Sequence, residues 1–266
     1  MNLAISILRP QNDCLNIRRM TKFGVMLMSR ELHHADPEFL QALDPAFKLL
    51  GKYFRYEARG IEHIPKSRCL IVMNHGIIPF HGFLLAKKIF DRSHVMPRGL
   101  GADFLFRVPG LRELFLKGGA VNANPRNAEK LLRQNNIVML APGGIYEALL
   151  AKPGLKRIPW ERRQGFVRMA VKTKTPIIPT YCRGINAAYF NSYLLLKPRI
   201  KLLEKLRFSL PLFFGLGLLP LPKKLIHWIG TPISVAKRRG ESQTQQIARI
   251  HQEVLAAVAR LAQKRV

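Results

Sequence analysis

The sequence predicts an α/β fold: a single domain with a largely parallel central sheet flanked by helices. Three observations carry that expectation. Strand-length runs such as CLIVMN, NIVMLAP and TPIIPTYCRG are apolar almost throughout rather than alternating, as strands buried on both faces are. Between them lie stretches with apolar residues at helical spacing, among them FHGFLLAKKIF and RRQGFVRMAVKTK. The chain's 266 residues, 48% hydrophobic, are also enough to build one sizeable core.

Taken in order, residues 1–35 are basic and irregular and read as an N-terminal arm, and residues 36–266 form the functional domain. From Asp36 a docking helix is expected, with Asp36 as N-cap, Pro37 at the first helical position, and Phe39, Leu40, Leu43, Phe47, Leu50 and Phe54 on one stripe. YEARGIEHIP reads as strand and turn, CLIVMN as a buried strand and FHGFLLAKKIF as a helix. HVMPRGL and KGGAVNA are short strands around a helical ADFLFRVPGLRELFL, and a helix starts near Asn124 in PRNAEKLLRQ. NIVMLAP is a strand stopped by Pro142 and Gly143, RRQGFVRMAVKTK a helix and TPIIPTYCRG another buried strand. AAYFNSYLLLKPRIKLLEKLRF mixes apolar stems with cationic heads around helical turns, and KLIHWIGTPISV is a strand and turn. The last helix begins near Glu241 or Ser242, with Ile247, Ile250, Val254, Leu255, Val258 and Leu261 on its packing face.

Composition narrows the partners. Lys and Arg number 44 against 16 Asp and Glu, a formal charge of +28 that calls for an anionic partner or surface. There is no zinc spacing, no RNA-recognition signature and no basic stretch interleaved with aromatics, so no nucleic acid is expected. Cys14, Cys69 and Cys182 are far apart, without metal-ligand spacing, and read as free thiols in a reducing compartment; no metal is expected. No secretory signal is evident, because the opening apolar residues are few and soon meet Arg9 and Pro10. A spanning helix needs about 20 apolar residues. Residues 69–86 are interrupted by Asn74, His75, Pro79 and His81, and residues 208–222 by three prolines, so contact with a membrane surface is expected rather than a span.

The chemistry centres on NHGIIPFHG, residues 74–82, where an apolar strand runs into two histidines. A positioned imidazole takes a proton near neutral pH, because its reference pKa is about 6.5. This block is followed in order by GADFLFRVPGLRELF, GGAVNANPRNAEKLL, APGGIYEAL, RRQGFVRMAVKTKTPIIPTY and LPLPKKLIHWIGTPISV. The ordered set resembles the glycerolipid acyltransferase family over residues 36–260. It looks most like the diacylglycerol acyltransferase-like branch, in which a Pro-Gly-Gly block with a following Glu replaces Glu-Gly-Thr.

The resemblance implies a glycerolipid acyltransferase-like fold and an O-acyltransferase. Its donor would be an acyl thioester, acyl-CoA or acyl carrier protein (acyl-ACP), and its acceptor a glycerolipid: mono- or diacylglycerol, or a lysophospholipid. It implies a general base at His75, preceded by Asn74, with no bound cofactor and no covalent acyl-enzyme. Arg126 falls in a block that contacts donor or acceptor in relatives, and Arg163 follows the acceptor block formed by Pro142, Gly143, Gly144 and Glu147. Glycines there let a backbone approach a ligand and offer amides to an oxyanion or phosphate, although a plain tight turn has the same sequence. With the charge and the apolar run KPRIKLLEKLRFSLPLFFGLGLLPLPKK, the expected location is peripheral, on an anionic membrane surface at its cytoplasmic face.

One position departs from the family. Relatives with the usual motif carry Asp five residues after the histidine, to orient the ring, and here that residue is Phe80. Three substitutes are open: His81 accepting from His75 through a neutral nitrogen, a carboxylate from Asp103 or Glu147, or a degraded site that binds lipid without turnover.

Overall fold

The computed structural model describes residues 35–154, 158–193, 195–206, 213–216 and 219–265. The basic arm of residues 1–34 and parts of the apolar run at 207–218 lie outside the described residues.

Nine helices and nine strands are described. The chain opens with α1 (Pro37–Ala42), α2 (Asp44–Tyr53), β1 (Glu57–Arg59), β2 (Cys69–Val72), α3 (Phe80–Ser93) and β3 (Arg98–Gly101). It continues through α4 (Leu111–Lys117), β4 (Val121–Asn122), α5 (Pro125–Arg133), β5 (Ile137–Leu140), α6 (Gly144–Leu150) and α7 (Gly165–Thr173). β6 (Ile177–Arg183), β7 (Phe190–Asn191), α8 (Leu196–Leu206), β8 (Phe213–Phe214), β9 (Ile226–Ile229) and α9 (Gln243–Gln263) complete it. Seven strands form one sheet in the order β1-β9-β6-β2-β5-β3-β4. Every neighbouring pair is parallel except β6 with β9. β7 and β8 form a separate antiparallel ribbon.

β2 sits at the centre, paired in parallel with β5 on one side and β6 on the other, and all four of its residues are buried. That is why CLIV has no polar alternation: helices cover such a sheet on both sides, and neither set of side chains meets water. α3 lays Leu85 and Ile89 against Ile71, Met139 and Ile178 of the sheet. α9 packs on β6 and α7, and α5 on β5 and α7.

Local signals set most boundaries. Asp36 caps α1 by accepting from the Phe39 amide at 3.1 Å, Asn124 caps α5 from the Asn127 amide at 2.8 Å, and Ser242 with Gln245 forms a capping box before α9. Two expectations are corrected. The single docking helix is broken at Leu43, because Pro45 has no amide to continue the ladder and instead opens α2 in its first turn. ADFLFRVPGLRELFL is helical only as a 3₁₀ turn at Asp103–Phe106 and as α4, since Gly110, at φ +81°, turns the chain between them.

Candidate active site

In a parallel sheet, the loops that leave the carboxyl ends of the strands share one edge, where α/β proteins bind ligands. Asn74 and His75 leave β2, the Pro142–Glu147 segment leaves the adjacent β5, and Asp103 and Arg126 follow β3 and β4 farther along.

Asn74, 1% exposed, stitches β2 to β6: its Nδ2 donates to the Cys182 carbonyl at 3.1 Å, and its Oδ1 accepts from the Cys182 amide at 2.7 Å. Both ends of the side chain bond the backbone of β6. Its effect is to fix the backbone immediately before His75.

His75 is half-buried. Its Nδ1 bonds the carbonyl of Gly76. A carbonyl only accepts, so Nδ1 carries the proton and Nε2 keeps its lone pair. Burial holds the ring's pKa below the usual histidine value, opposed by that carbonyl bond, and the neutral base is the resting form at pH 7. The partner sought for the far nitrogen is therefore neither His81 nor a carboxylate. It is a backbone oxygen one residue on.

His81, in the first turn of α3, is fully buried, and its Nε2 donates to the Asn74 carbonyl at 2.8 Å. Burial drives its pKa down to about 3, so it is neutral, and its Nδ1 is buried without a hydrogen-bond partner among the described residues. The bond from Nε2 braces the same backbone that Asn74 holds. Beside it, with ring centroids 5.3 Å apart, lies His227. The Thr180 hydroxyl donates to the Val72 carbonyl at 3.1 Å and accepts from His227 Nε2 at 3.0 Å, so Tyr56 must donate to Nδ1 at 3.1 Å. Sequence reasoning missed His227, which enters through the antiparallel register that sets it opposite Cys182.

Asp103 is exposed, bonded to the Asn122 side chain and to Arg107, and does not reach the imidazole. Glu147 does come to His75, but not to its ring. Its Oε1 accepts from the His75 amide at 2.9 Å, and its Oε2 accepts from Trp160 Nε1 at 2.8 Å. Burial pushes this carboxyl up to about 7, and the Trp160, His75 and Gly143 N–H groups pull it back. Both oxygens of Glu147 thus accept from the protein, one from the strand exit and one from the indole.

The Gly144 amide donates to the Ala141 carbonyl at 3.0 Å, and the Gly143 amide serves Glu147. Pro142 is a half-buried turn residue. Arg126 is exposed at the start of α5, and Arg163 is exposed with its guanidinium 6.0 Å from the centroid of the Tyr146 ring. Trp160 carried no sequence signal, being an apolar residue in a polar loop. Among the described residues no cluster of His, Cys, Asp or Glu is arranged to hold a metal.

This geometry can be set beside known proteins. Over 92% of this chain and 90% of the other, the fold matches the crystal structure of the 1-acyl-sn-glycerophosphate acyltransferase PlsC from Thermotoga maritima, with a TM-score of 0.52 and 16% identity. The mouse "DGAT1/2-independent enzyme synthesizing storage lipids" is 31% identical over 180 residues, 67% of this chain and 52% of that one. An uncharacterized protein of Mycobacterium tuberculosis is 35% identical over 218 residues, 76% of this chain and 59% of that one. Diacylglycerol O-acyltransferase 2 of Dictyostelium discoideum is 28% identical over 224 residues, covering 75% and 66%. The chain thus spans 52–66% of the length of these curated relatives. The family model described as "Diacylglycerol acyltransferase" matches residues 53–265. A match over most of the chain, carried on a fold shared with PlsC, makes this protein a member of the diacylglycerol acyltransferase family.

Proposed function

We propose that the protein is a membrane-associated O-acyltransferase that moves a fatty acyl group from an acyl thioester to a glycerolipid hydroxyl, with His75 as general base. The observation that carries the reading is the bonding of one ring: Nδ1 is committed to the Gly76 carbonyl, and Nε2 has no hydrogen-bond partner among the described residues.

An acceptor hydroxyl donates to Nε2. As its oxygen attacks the thioester carbonyl, the proton passes to the imidazole. The tetrahedral intermediate then collapses, the C–S bond breaks and the thiolate takes that proton back from the imidazolium. A positioned base supplies about 10² to 10⁴ in rate. Loss of the orienting carboxylate in the serine-protease template costs about 10⁴, because the ring adopts the wrong tautomer. Here the Gly76 carbonyl selects the right tautomer, and what is forgone is the full charge that would stabilise the imidazolium. Phe80, at the usual Asp position, instead packs against Phe54 and Tyr189.

We assign the donor to acyl-CoA or an acyl carrier protein and the acceptor to mono- or diacylglycerol or a lysophospholipid. Arg163, beside Tyr146, is the cation we assign to the acceptor's polar end, and Arg126 to the donor. Access to lipid is supported by an exposed apolar surface: Phe190 at 61%, Phe214 at 63% and Leu219 at 66%, with Lys197, Lys201 and Lys205 exposed on α8. Each such cation near an anionic leaflet adds about 1 kcal/mol. Each methylene of the acyl chain brought into water costs about 0.8 kcal/mol. These two magnitudes support our assignment of a peripheral position on an anionic membrane surface, at its cytoplasmic face. Among the described residues no helix is long and apolar enough to cross a membrane.

The test is acyl transfer from labelled oleoyl-CoA to a panel of acylglycerols and lysophospholipids in anionic vesicles, wild type against His75→Ala. The reading requires product with at least one acceptor and a loss of about 10² or more in the variant. Equal turnover in the two proteins would overturn it, and vesicle binding without any product would favour a lipid-binding relative.

A further inference from the structure

Trp160 is completely buried, yet its one polar atom is spent on Glu147, itself buried and among the described residues ion-paired to no cation. We propose that Glu147 and Trp160 form a clamp that positions the His75 base through its backbone, with Trp160 as an unassigned positioning residue and ionised Glu147 as the bridge. The inference rests on the reading of His75 as base.

The His75 ring is held by the carbonyl of the next residue, a local bond that travels with the backbone. Where Nε2 points is therefore set by whatever fixes residues 74–76. Asn74 supplies one anchor, on Cys182. Glu147 supplies the other, with one carboxylate oxygen on the His75 amide and the second on the indole. The indole cannot drift: the Trp160 carbonyl accepts from His251 Nε2 at 3.0 Å, and its ring meets Phe166 edge-on with centroids 6.1 Å apart. The clamp thus ties the exit of β2 to α7 and α9.

Gly143 is shaped around it. A Cβ there would lie 2.3 Å from Glu147 Oε2 and 2.5 Å from Glu147 Cβ. The first glycine of the Pro-Gly-Gly block is thereby explained as room for a carboxylate.

Three N–H groups converge on Glu147, so only the ionised form accepts from all of them. Protonation turns one oxygen into a donor facing donors. Of the groups near Glu147, His75 is neutral at pH 7, and Tyr181, from β6, is pushed up to about 12, chiefly by burial and in smaller part by Cys182 and Glu147, and is neutral too. Arg163 stands over the Tyr146 ring, and Arg199 of α8 donates to the Ser192 carbonyl. The acid limb of turnover then reports Glu147, at about pH 7, rather than the imidazole.

The test uses the full chain with oleoyl-CoA and monooleoylglycerol in anionic vesicles. Trp160→Phe should lower kcat about tenfold to a hundredfold with KM unchanged, the scale of a misplaced base. Losing one charge-assisted hydrogen bond should also move the acid limb upward by about one pH unit. Glu147→Gln should abolish that limb and lower kcat, because one amide N–H₂ must face a donor. The Glu147→Gln/Trp160→Phe double variant, with that opposing donor gone, should be more active than Glu147→Gln alone. A readout independent of activity is the fluorescence of Trp160 in Trp228→Phe, which should titrate near pH 7 and lose that transition when Glu147→Gln is added. An unmoved acid limb in Trp160→Phe, a double variant no better than the single, or fluorescence indifferent to Glu147→Gln would overturn the clamp. If His75→Ala keeps full activity, the general-base reading fails instead, and the fluorescence titration still decides whether Glu147 and Trp160 are joined.

Discussion

Two adjacent glycines, Gly143 and Gly144, look interchangeable in the sequence and are held by different physics. At Gly143 the obstacle is space, since a methyl group would collide with the Glu147 carboxylate. At Gly144 nothing lies within 4 Å of the missing Cβ, but φ is +52°. Gly144→Ala should therefore cost only the left-handed backbone penalty, about 1–2 kcal/mol, with activity retained at low temperature. Gly143→Ala should cost about 1–3 kcal/mol of overpacking and remove turnover as well, because the collision displaces the group that holds His75. Urea denaturation beside an activity assay separates the two. Equal losses of activity would show that the clamp is not what Gly143 protects. The sequence marked His75 as a candidate through the ordered family blocks around it, at the end of an apolar strand. Its partner was not legible, because the partner is a carbonyl, and no residue type advertises one.

Among the elements, α6 carries Glu147 and is only seven residues long, too short to be stable without help from its neighbours. Part of that help comes from the β7–β8 ribbon. Asn191 Nδ2 donates to the Leu149 carbonyl at 2.7 Å and the Ala151 carbonyl at 3.1 Å, pairing the last carbonyls of the helix, and the Tyr193 hydroxyl adds a bond to Ala151 at 2.8 Å. Asn191→Ala should lower stability by about 1–3 kcal/mol, the scale of carbonyls left without partners. It should also speed amide exchange in α6 ahead of the central strands, and exchange in α6 equal to wild type would refute the tie. Helices with side-chain caps and strands buried on both faces could be read from the sequence, since those signals are local. The break at Pro45 was also written there, but the continuous apolar stripe masked it.

For the molecule as a whole, three histidines with lowered pKa values shape the response to acid. His75, His81 and His227 all have folded pKa values below the ordinary 6.5, each primarily through burial. The unfolded chain therefore binds more protons than the folded one below pH 6.5, and stability falls as pH drops through that window. Glu147 works the other way: its folded pKa of about 7 exceeds its unfolded value of 4.5, so its contribution is full below pH 4.5 and is lost as pH rises through 7. For His81, with a folded value of about 3, the window runs from 6.5 to 3. His81→Gln, which keeps a donor toward the Asn74 carbonyl, should flatten the stability curve by about 1.4 kcal/mol per pH unit between about pH 5 and 6. Urea midpoints at those two values check it, and parallel curves for variant and wild type would contradict it. Sheet order and the antiparallel placement of β9 were not legible, and His227 was hidden with them. They depend on register between segments more than forty residues apart, such as Cys182 with His227, which local pattern does not encode.

The tautomer of the His75 ring decides whether it can act as the base, and ¹⁵N NMR of the histidine side chains at pH 7, with His75 identified by its loss in His75→Gln, reads it directly. A neutral His75 with its proton on Nδ1 and a bare Nε2 is the expected result. A proton on Nε2, or a ring already charged at that pH, would contradict it.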